Sequence, residues 1–360
     1  MTSRHRFSDV GARLLLACRN LHPAYFALVM ATGIVAIGAQ LCGMPSIGYG
    51  LTAFNLAAFL TLCVLTLVRV LLFPARVFAD LLDHTRGVGF FTLVAGTAVL
   101  GNDFVVVLQW TRAAQILWLL SLVLWLVFTY AIFTAFTVKE DKPSLSEGIN
   151  GSWLIAVVAT QAVADLAVLL AASFGPYRDA ALLLALILWL CGGMLYIWMI
   201  SLIFYRYTFF RLEPSDLMPP YWINMGAMAI STLTGATLIA HAADTQFLAD
   251  LGPFLKGFTL LFWSTATWWI PMLVILGVWR HVYKRFRLAY DPLYWGAVFP
   301  LGMYAVCTYR LGEVIHPPAL FAISRAFAYI ALGAWGATLG GLLISLFQAR
   351  QARTSYNAVR

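Results

Sequence analysis

Charged residues are scarce in this chain. Of its 360 residues, 11% are charged and 62% are apolar, whereas a soluble globular protein carries roughly 25% charged residues. Apolar runs recur from one end to the other, each near the length of about 20 residues that a helix needs to cross a bilayer. The composition excludes a cytosolic enzyme and a disordered regulator, and it predicts one integral membrane domain.

Ligand patterns of cysteine and histidine are missing. The five cysteines show no Cys-x-x-Cys spacing, which excludes a disulfide framework and a zinc site of that type. The six histidines fall in loops or at the ends of apolar runs, so a haem between facing histidines is excluded. HExxH, GxSxG and phosphate-binding glycine loops are absent as well. We therefore predict no metal, no cofactor and no enzymatic activity.

Acidic residues are outnumbered, 15 against 23 lysines and arginines. In a soluble protein this excess would suggest nucleic acid as a partner, but here the basic residues gather in short loops between apolar runs. Eighteen of them fall on one side of the predicted membrane and four on the other. Because cytoplasmic loops are enriched in Lys and Arg, we predict a multi-pass cell-membrane protein with both termini in the cytoplasm and no nucleic-acid partner.

Ten apolar windows are long enough to be transmembrane helices. They cover residues 24–43, 49–73, 87–108, 113–138, 153–174, 180–203, 221–241, 254–279, 293–309 and 317–347. The odd windows are shorter than the even ones, and a helix longer than the bilayer is thick can tilt. The pattern predicts an all-α membrane protein of five helical hairpins, with the odd helices in an inner ring and the even helices in an outer ring, the alternative being that the lengths vary by chance.

The predicted organisation is one ten-span transport domain at 21–347. It follows a cytoplasmic or interfacial segment at 1–20, and a cytoplasmic tail at 348–360 ends the chain. No loop is long enough to form a further domain.

Two ionisable residues lie where hydrocarbon is expected, Asp165 in the fifth window and Arg325 in the tenth. Such groups are costly in a membrane and are candidates for function. Their depths in the bilayer coincide, so the sequence predicts a buried ion pair, either joining an outer helix to an inner one or contacting a transported anion or proton. Asn102, Asp103 and His241, near the external helix ends, are expected to be solvated caps.

The ninth window contains Gly296, Phe299 and Pro300. The proline lacks a backbone donor, and its ring crowds the carbonyl of Gly296, so a kink is predicted there. Phe299 sits at that kink. A rigid aromatic side chain at a bend could plug a narrow pore, and the alternative is ordinary packing or contact with lipid.

Small and hydroxyl residues recur in three odd windows, where they favour close helix packing or, alternatively, line a narrow passage. The candidate lining residues are Thr32, Gly33, Thr92, Gly96, Ser231 and Thr234. A lining of this kind, without acidic residues, favours anions or neutral solutes over metal cations, since cation pores use rings of Asp or Glu.

Several stretches together resemble one known family. They are FALVMATGIVAIGAQ after His22 and Pro23, HTRGVGFFT before the third span, NGSW before the fifth, and YWGAVFPLGMYAVCT in the ninth. Their order and spacing are similar to the tellurite-resistance/dicarboxylate transporter (TehA-like) family, which includes malate permeases, sulfite exporters and slow-type plant anion channels. The likeness covers about residues 20 to 347.

The resemblance implies a pore formed by the five odd helices and ringed by the even ones, in a protomer that commonly assembles as a homotrimer. It also implies that a phenylalanine on the ninth span occludes the pore, a role that falls on Phe299 here. Members carry malate, sulfite, chloride or nitrate, so the resemblance does not choose among these substrates.

We therefore predict a channel or transporter for small inorganic or organic anions, with protons as a candidate coupled ion. Two alternatives are an exporter of neutral or toxic solutes and a membrane sensor or scaffold without transport. The short loops disfavour a scaffold, because the chain presents little surface to a soluble partner.

Overall fold

The structure, a computed structural model, describes residues 15–358. Within them no β-strand occurs, and ten long helices, α1 to α10, follow one another along the chain. The helices are α1 Ala27–Leu41, α2 Pro45–Leu72, α3 Phe91–Asp103, α4 Thr111–Val138, α5 Ile155–Leu170, α6 Arg178–Phe209, α7 Ile223–Ala240, α8 Gly252–Val278, α9 Trp295–Ile315 and α10 Pro318–Ala358. The chain is an all-α integral membrane protein.

Eight helical stretches of the described residues are long and apolar enough to cross a membrane. One of them, Gly151–Phe209, contains both α5 and α6. The two helices are separated at Gly175, whose φ of +56° is readily adopted only by glycine. α9 is not among the eight, because glycines, tyrosines and Arg310 lower its hydropathy. The number of ten membrane crossings stays a prediction.

Short and long helices alternate. The odd helices have 13 to 21 residues and the even ones 27 to 41. Most side chains of the odd helices are buried, whereas the even helices expose large apolar side chains over much of their length. In a membrane such a surface faces lipid or a neighbouring subunit.

The five odd helices contact one another in the cyclic order α1, α3, α5, α7, α9 and back to α1. A 3₁₀ turn precedes each of them and contacts the turns of its neighbours in the same order. These turns are Pro23–Phe26, Gly87–Phe90, Gly151–Leu154, Pro219–Trp222 and Pro292–Tyr294. All five helices therefore run in one direction. We call the end of the bundle with these turns the turn end, and the opposite end the far end.

Each even helix packs against the odd helix before it, so the chain forms five consecutive helical hairpins. Small residues allow the helices to approach closely. A side chain at Gly101 of α3 would collide with Leu166 of α5, and one at Gly235 of α7 would collide with Thr259 of α8.

The two terminal segments of the chain differ from their predicted bounds or lie only partly within the described residues. The proposed N-terminal segment lies mostly outside the described residues, which begin with a helical turn at 15–19. α10 continues to Ala358, eleven residues past the predicted end of the last span at 347. The predicted cytoplasmic tail is thus mostly a continuation of this helix.

Candidate functional site

A small cavity lies among the odd helices, towards the far end. Every odd helix or its direct extension contributes to its wall. The lining residues are Ile37, Asn102, Val106, Asp165, Leu169, Leu233, Thr237, Val306 and Arg310. The cavity volume is about 20 Å³, close to the minimum for a single water molecule. This is the point where the five helices surround a shared polar space.

Asp165 is the central polar group of this cavity. Its carboxylate accepts a hydrogen bond from Asn102 Nδ2 at 2.9 Å and another from Thr237 Oγ1 at 2.8 Å. The two donors come from α3 and α7, on either side of α5. Both donors are neutral, so the hydrogen bonds fix the carboxylate without cancelling its charge. The predicted absence of acidic residues from the lining is therefore wrong at Asp165.

Arg310 brings a positive charge to the same cavity. It lies in the last turns of α9, where its Nη1 donates to Glu313 Oε2 at 2.8 Å on the partly exposed rim. His241, just after α7, is also partly buried, and its Nδ1 lies 2.9 Å from the carbonyl oxygen of Thr237. The far end thus combines a carboxylate inside the wall with a guanidinium at the rim.

The predicted ion pair between Asp165 and Arg325 is wrong. Arg325 is exposed on α10, and α10 packs on α9 and α1 rather than on α5. The prediction rested on the similar depth of the two residues in the membrane. Depth alone does not determine which way a side chain points around its helix or which helices are neighbours. Among the described residues, the hydrogen bonds of Asp165 come only from the other odd helices.

Phe299 has a completely buried side chain on α9. Val306 follows it by seven residues and Arg310 by eleven, spacings that keep all three near one face of an α-helix. At 1.5 Å per residue, Phe299 lies about 10 Å along the helix axis from Val306. It is therefore on the cavity side of α9, between the cavity and the turn end.

Gly296 and Pro300 both lie within α9, which continues as a helix through the proline. The predicted kink is not tested by this continuity. The proline ring is closely packed against α7, because a Cβ at Gly226 would lie 2.7 Å from Pro300 Cγ. Around Gly296 the nearest such contact, at 3.7 Å, is with Pro220 in the turn before α7. Gly226, which the sequence did not single out, is thus the glycine that admits the proline.

The hydroxyl residues predicted to line a passage instead join helices or bond within them. Thr32 Oγ1 accepts a hydrogen bond from Trp335 Nε1 of α10 at 3.0 Å. Thr92 Oγ1 donates to the carbonyls of Pro23 and Gly89, and Thr234 Oγ1 to those of Gln161 and Ile230. Ser231 Oγ donates within its own helix, to the carbonyl of Ala227. None of these hydroxyl residues lines the cavity described above.

The two glycines of that prediction also serve helix packing. A Cβ at Gly96 would lie 3.3 Å from the carbonyl oxygen of Phe26, at the contact of α3 with the start of α1. A Cβ at Gly33 would come within 3.0 Å of both Asn55 and Asp103. Neither glycine lines the cavity. Of the two interpretations of these small residues, close helix packing therefore describes their contacts, and the lining of a passage does not.

Asp103 is completely buried and accepts a hydrogen bond of 2.9 Å from Asn55 Nδ2 of α2. Together with Asn102 it was expected to be a solvated cap, and for both residues this expectation is wrong. The sequence feature that could have indicated their burial is the pair of adjacent polar residues at the end of an apolar window.

Arg310 was not predicted to line the cavity, because the apolar window stopped at residue 309. Its spacing of eleven residues from Phe299 indicates that both residues lie on one face of α9.

A charged cluster lies at the turn end. Asp80, in the short helix Pro74–Leu81, is 2.5 Å from Arg69 Nη2 and 2.7 Å from Arg86 Nε. Burial opposes ionisation of Asp80, but the hydrogen bonds from Arg86 and Arg69 outweigh it and lower the pKa of its carboxyl. Burial, followed by the charge of Arg86, lowers the pKa of the His22 imidazole to about 4. Its Nδ1 accepts a hydrogen bond from the backbone N–H of Ala24.

Charge and apolar side chains are distributed unevenly along the odd helices. No group of three or more His, Cys, Asp or Glu side chains suited to a metal ion occurs among the described residues. The positive charges of Arg69, Arg86 and Arg310 lie near the two ends of the odd helices, while aliphatic residues and Phe299 are buried between them. The bundle of odd helices thus carries positive charge near both ends and apolar side chains between them.

Comparison with known proteins gives a consistent result. Residues 20–343 match the family model described as SLAC1, voltage-dependent anion channel. An uncharacterised membrane protein of Mycobacterium tuberculosis is 38% identical over 164 residues, which is 45% of this chain and 83% of that protein. An uncharacterised transporter of Methanocaldococcus jannaschii is 24% identical over 89% of this chain and 92% of its own length. The sulfite efflux pump SSU1 of Arthroderma otae is 23% identical, with 89% of each chain covered.

Proposed function

Since the chain belongs to the SLAC1 family of voltage-dependent anion channels, we propose that it moves small anions along the axis of its five odd helices and that Phe299 closes this route. Family membership agrees with the resemblance found in the sequence, and it makes the protein a multi-pass anion channel or transporter. The route and its gate are the parts that we add. Malate, sulfite, halides and nitrate are the candidate substrates.

The position of Phe299 carries this proposal. Its buried ring lies on the face of α9 that also supplies Val306 and Arg310 to the central cavity. An anion stripped of water cannot cross hydrocarbon, because its ideal desolvation cost is tens of kcal/mol. A benzyl group offers no hydrogen-bond donor, so it blocks an ion until it turns aside. The cavity of about 20 Å³ corresponds to a closed conformation.

Arg310 would attract an anion to the far end, since a charged rim raises the local concentration of counter-ions. At the turn end the same effect would come from Arg86, whose side chain is partly exposed. A sulfite efflux pump among the relatives makes a small oxyanion such as sulfite the first substrate to try.

Orientation and assembly are further parts of the proposal. The excess of basic residues on the side of the turn end supports cytoplasmic termini in the cell membrane. The exposed apolar surfaces of the even helices are compatible with a homotrimer of the kind that the family resemblance implies. Each protomer would then contain its own route.

Flux into liposomes tests the gate. We expect Phe299→Ala to increase the uptake of chloride, nitrate, sulfite or malate by the purified protein, because removal of the ring unblocks the route. Phe347→Ala is a matched control, since that ring is exposed on α10 and its loss should leave uptake unchanged. Unchanged flux through a folded Phe299→Ala protein would contradict the gate.

The same liposomes separate the alternative functions. A neutral-solute exporter would show competition by neutral compounds and none by anions. A sensor or scaffold would give no flux for any anion, with or without Phe299.

A further inference from the structure

Arg280 is a buried guanidinium without an anionic partner. It lies in a π-helical turn, Trp279–Tyr283, directly after α8 at the turn end, and its relative exposure is 9%. Its Nε is buried without a hydrogen-bond partner. Within the described residues its side chain forms no ion pair, and its guanidinium lies over the ring of Phe286, 4.4 Å from the ring centroid. Stacking on a ring uses none of the N–H donors of the guanidinium.

A buried charge of this kind is costly unless an opposite charge and hydrogen bonds compensate it. An anion or another strong acceptor in the adjoining space would compensate this charge. Arg280 lines a cavity of about 260 Å³ between the starts of α7 and α9 and the end of α8. Its other walls include Tyr221, Trp222 and Tyr294. This space is an order of magnitude larger than the cavity beside Asp165 and has room for a polar head group.

A second cavity, of about 400 Å³, adjoins the first. The two share Leu288, Tyr294 and Ala297 in their walls. The second cavity continues between α9 and α10, where its lining is almost entirely apolar. The residues from those helices are Val298, Leu301, Ala334, Ala337, Thr338 and Gly341. Because α10 is exposed along much of its length, this cavity can be reached from the surrounding lipid.

Basic side chains flank the first cavity, while Asp216 and Asp291 lie close to its wall residues Leu217 and Tyr294 without lining it. The segment after the π-helical turn contains Lys284, Arg285 and Arg287, all exposed, and no acidic side chain lines either cavity. Basic pockets between transmembrane helices bind the head groups of anionic lipids, which are attracted by neighbouring basic loops. Arg also matches a phosphate group through several hydrogen bonds at once.

We infer that Arg280 is the head-group site for an anionic phospholipid, whose phosphate it binds in the first cavity while an acyl chain occupies the second. The shared walls allow one molecule to reach both. Phosphate alone offers the same chemistry to Arg280, but it would leave the apolar cavity empty. The site lies outside the five-helix cavity and is independent of the gate proposed at Phe299.

Binding by the delipidated full-length protein in detergent tests this inference. Native mass spectrometry would follow titrations with phosphatidylglycerol, with phosphatidylcholine of the same acyl chains, and with inorganic phosphate. We expect Arg280→Gln to weaken phosphatidylglycerol binding about tenfold, the loss of a charge-assisted hydrogen bond. Ala337→Phe should weaken it as well by filling the apolar cavity. Arg76→Gln is the matched control, because Arg76 is exposed on the separate short helix Pro74–Leu81 and lines neither cavity.

The possible outcomes divide clearly. Preference for phosphatidylglycerol over phosphatidylcholine, lost in Arg280→Gln and kept in Arg76→Gln, would support the site. Equal binding by Arg280→Gln and wild type would overturn it. Phosphate binding as tight as lipid binding, or no effect of Ala337→Phe, would overturn the lipid assignment and leave a site for a free anion. Arg280→Gln removes an uncompensated buried charge, so we expect it to fold, and its melting temperature without lipid provides the check.

Discussion

The side-chain amide of Asn102 donates a hydrogen bond of 2.9 Å to the Asp165 carboxylate across the contact between α3 and α5. With Thr237 on the other side, the carboxylate is held by two neutral donors in the wall of the central cavity. Arg310 lines the same cavity but pairs with Glu313 at the rim. An anion that passes this point meets a negative charge whenever Asp165 is ionised. Protonation of Asp165 would therefore favour passage.

The substitution Asp165→Asn tests whether that charge controls flux. It removes the negative charge and keeps an oxygen that accepts from Asn102 or Thr237. For the wild-type protein in liposomes we expect anion uptake to rise as the pH falls, because protonation removes the repulsion. For Asp165→Asn we expect high uptake at neutral pH and a much weaker dependence on pH.

Asp103→Asn is the matched control for this test. Asp103 is also a completely buried carboxylate, but it faces Asn55 of α2 and does not line the cavity. Its substitution should leave the pH profile of uptake unchanged. If folded Asp165→Asn protein kept the wild-type pH profile of uptake, protonation of this carboxylate would have no part in the pH dependence of anion transport.

Arg310 is expected to attract anions to the far end. Arg310→Gln should lower the rate of anion uptake about tenfold at low ionic strength, and by less in high salt, because mobile ions screen the charge. Arg325→Gln is the control, since Arg325 is exposed on α10 and does not line the cavity. Equal rates for wild type and Arg310→Gln across salt concentrations would show that the rim charge has no part in transport.

Much of the fold could be predicted from the sequence, because hydropathy sets the length of a membrane helix. The windows match the ten long helices to within several residues at most ends, and the alternation of short and long windows agrees with the observed lengths. The ends were least accurate where charge interrupts a helix. α9 continues through Arg310 and Glu313 to Ile315, although the apolar window ended at residue 309.

Side-chain contacts were much harder to predict. The sequence placed Asp165 and Arg325 at a similar depth in the bilayer. Whether they meet depends on the rotation of each helix and on which helices are neighbours, and both are set by the packing of the whole ring. Thr32 and Thr234 illustrate a second difficulty. A small hydroxyl residue suits a pore wall and a helix contact equally well, and both threonines bond to neighbouring helices. Phe299 was singled out by its position beside Pro300, and the family resemblance assigned it the role of a gate, which stays a prediction.

The charged cluster at the turn end should contribute to stability. Asp80 neutralises Arg69, which is only 4% exposed, so Asp80→Asn leaves a buried guanidinium without its anion. We expect the free energy of unfolding in detergent to fall by about 3 kcal/mol. The pKa of Asp80 is lowered in the folded protein. The stabilisation is therefore present above the unfolded carboxyl pKa of about 3.9 and is lost as the pH falls below it.

Glu213→Gln provides the comparison for Asp80→Asn. Its ion pair with Arg211 is exposed on both sides, and such pairs contribute about 0.5 kcal/mol or less. Denaturant titrations of both variants would measure the difference. Equal stability of Asp80→Asn and Glu213→Gln would mean that Arg69 finds another partner or water.

Gly226 of α7 controls how closely the part of α9 around Pro300 approaches its neighbour. A Cβ added there would lie 2.7 Å from Pro300 Cγ and 3.0 Å from its Cβ. The proline ring is part of the backbone and cannot rotate away, so α9 must shift at the residue next to Phe299. We expect Gly226→Ala to lower the free energy of unfolding by about 1–3 kcal/mol and to raise anion uptake, because Phe299 moves with the helix.

Gly257→Ala is the matched control, since nothing lies within 4 Å of its added Cβ. Wild-type stability for Gly226→Ala would show that α7 and α9 separate without strain, and wild-type uptake despite lower stability would place the gate elsewhere than beside Pro300.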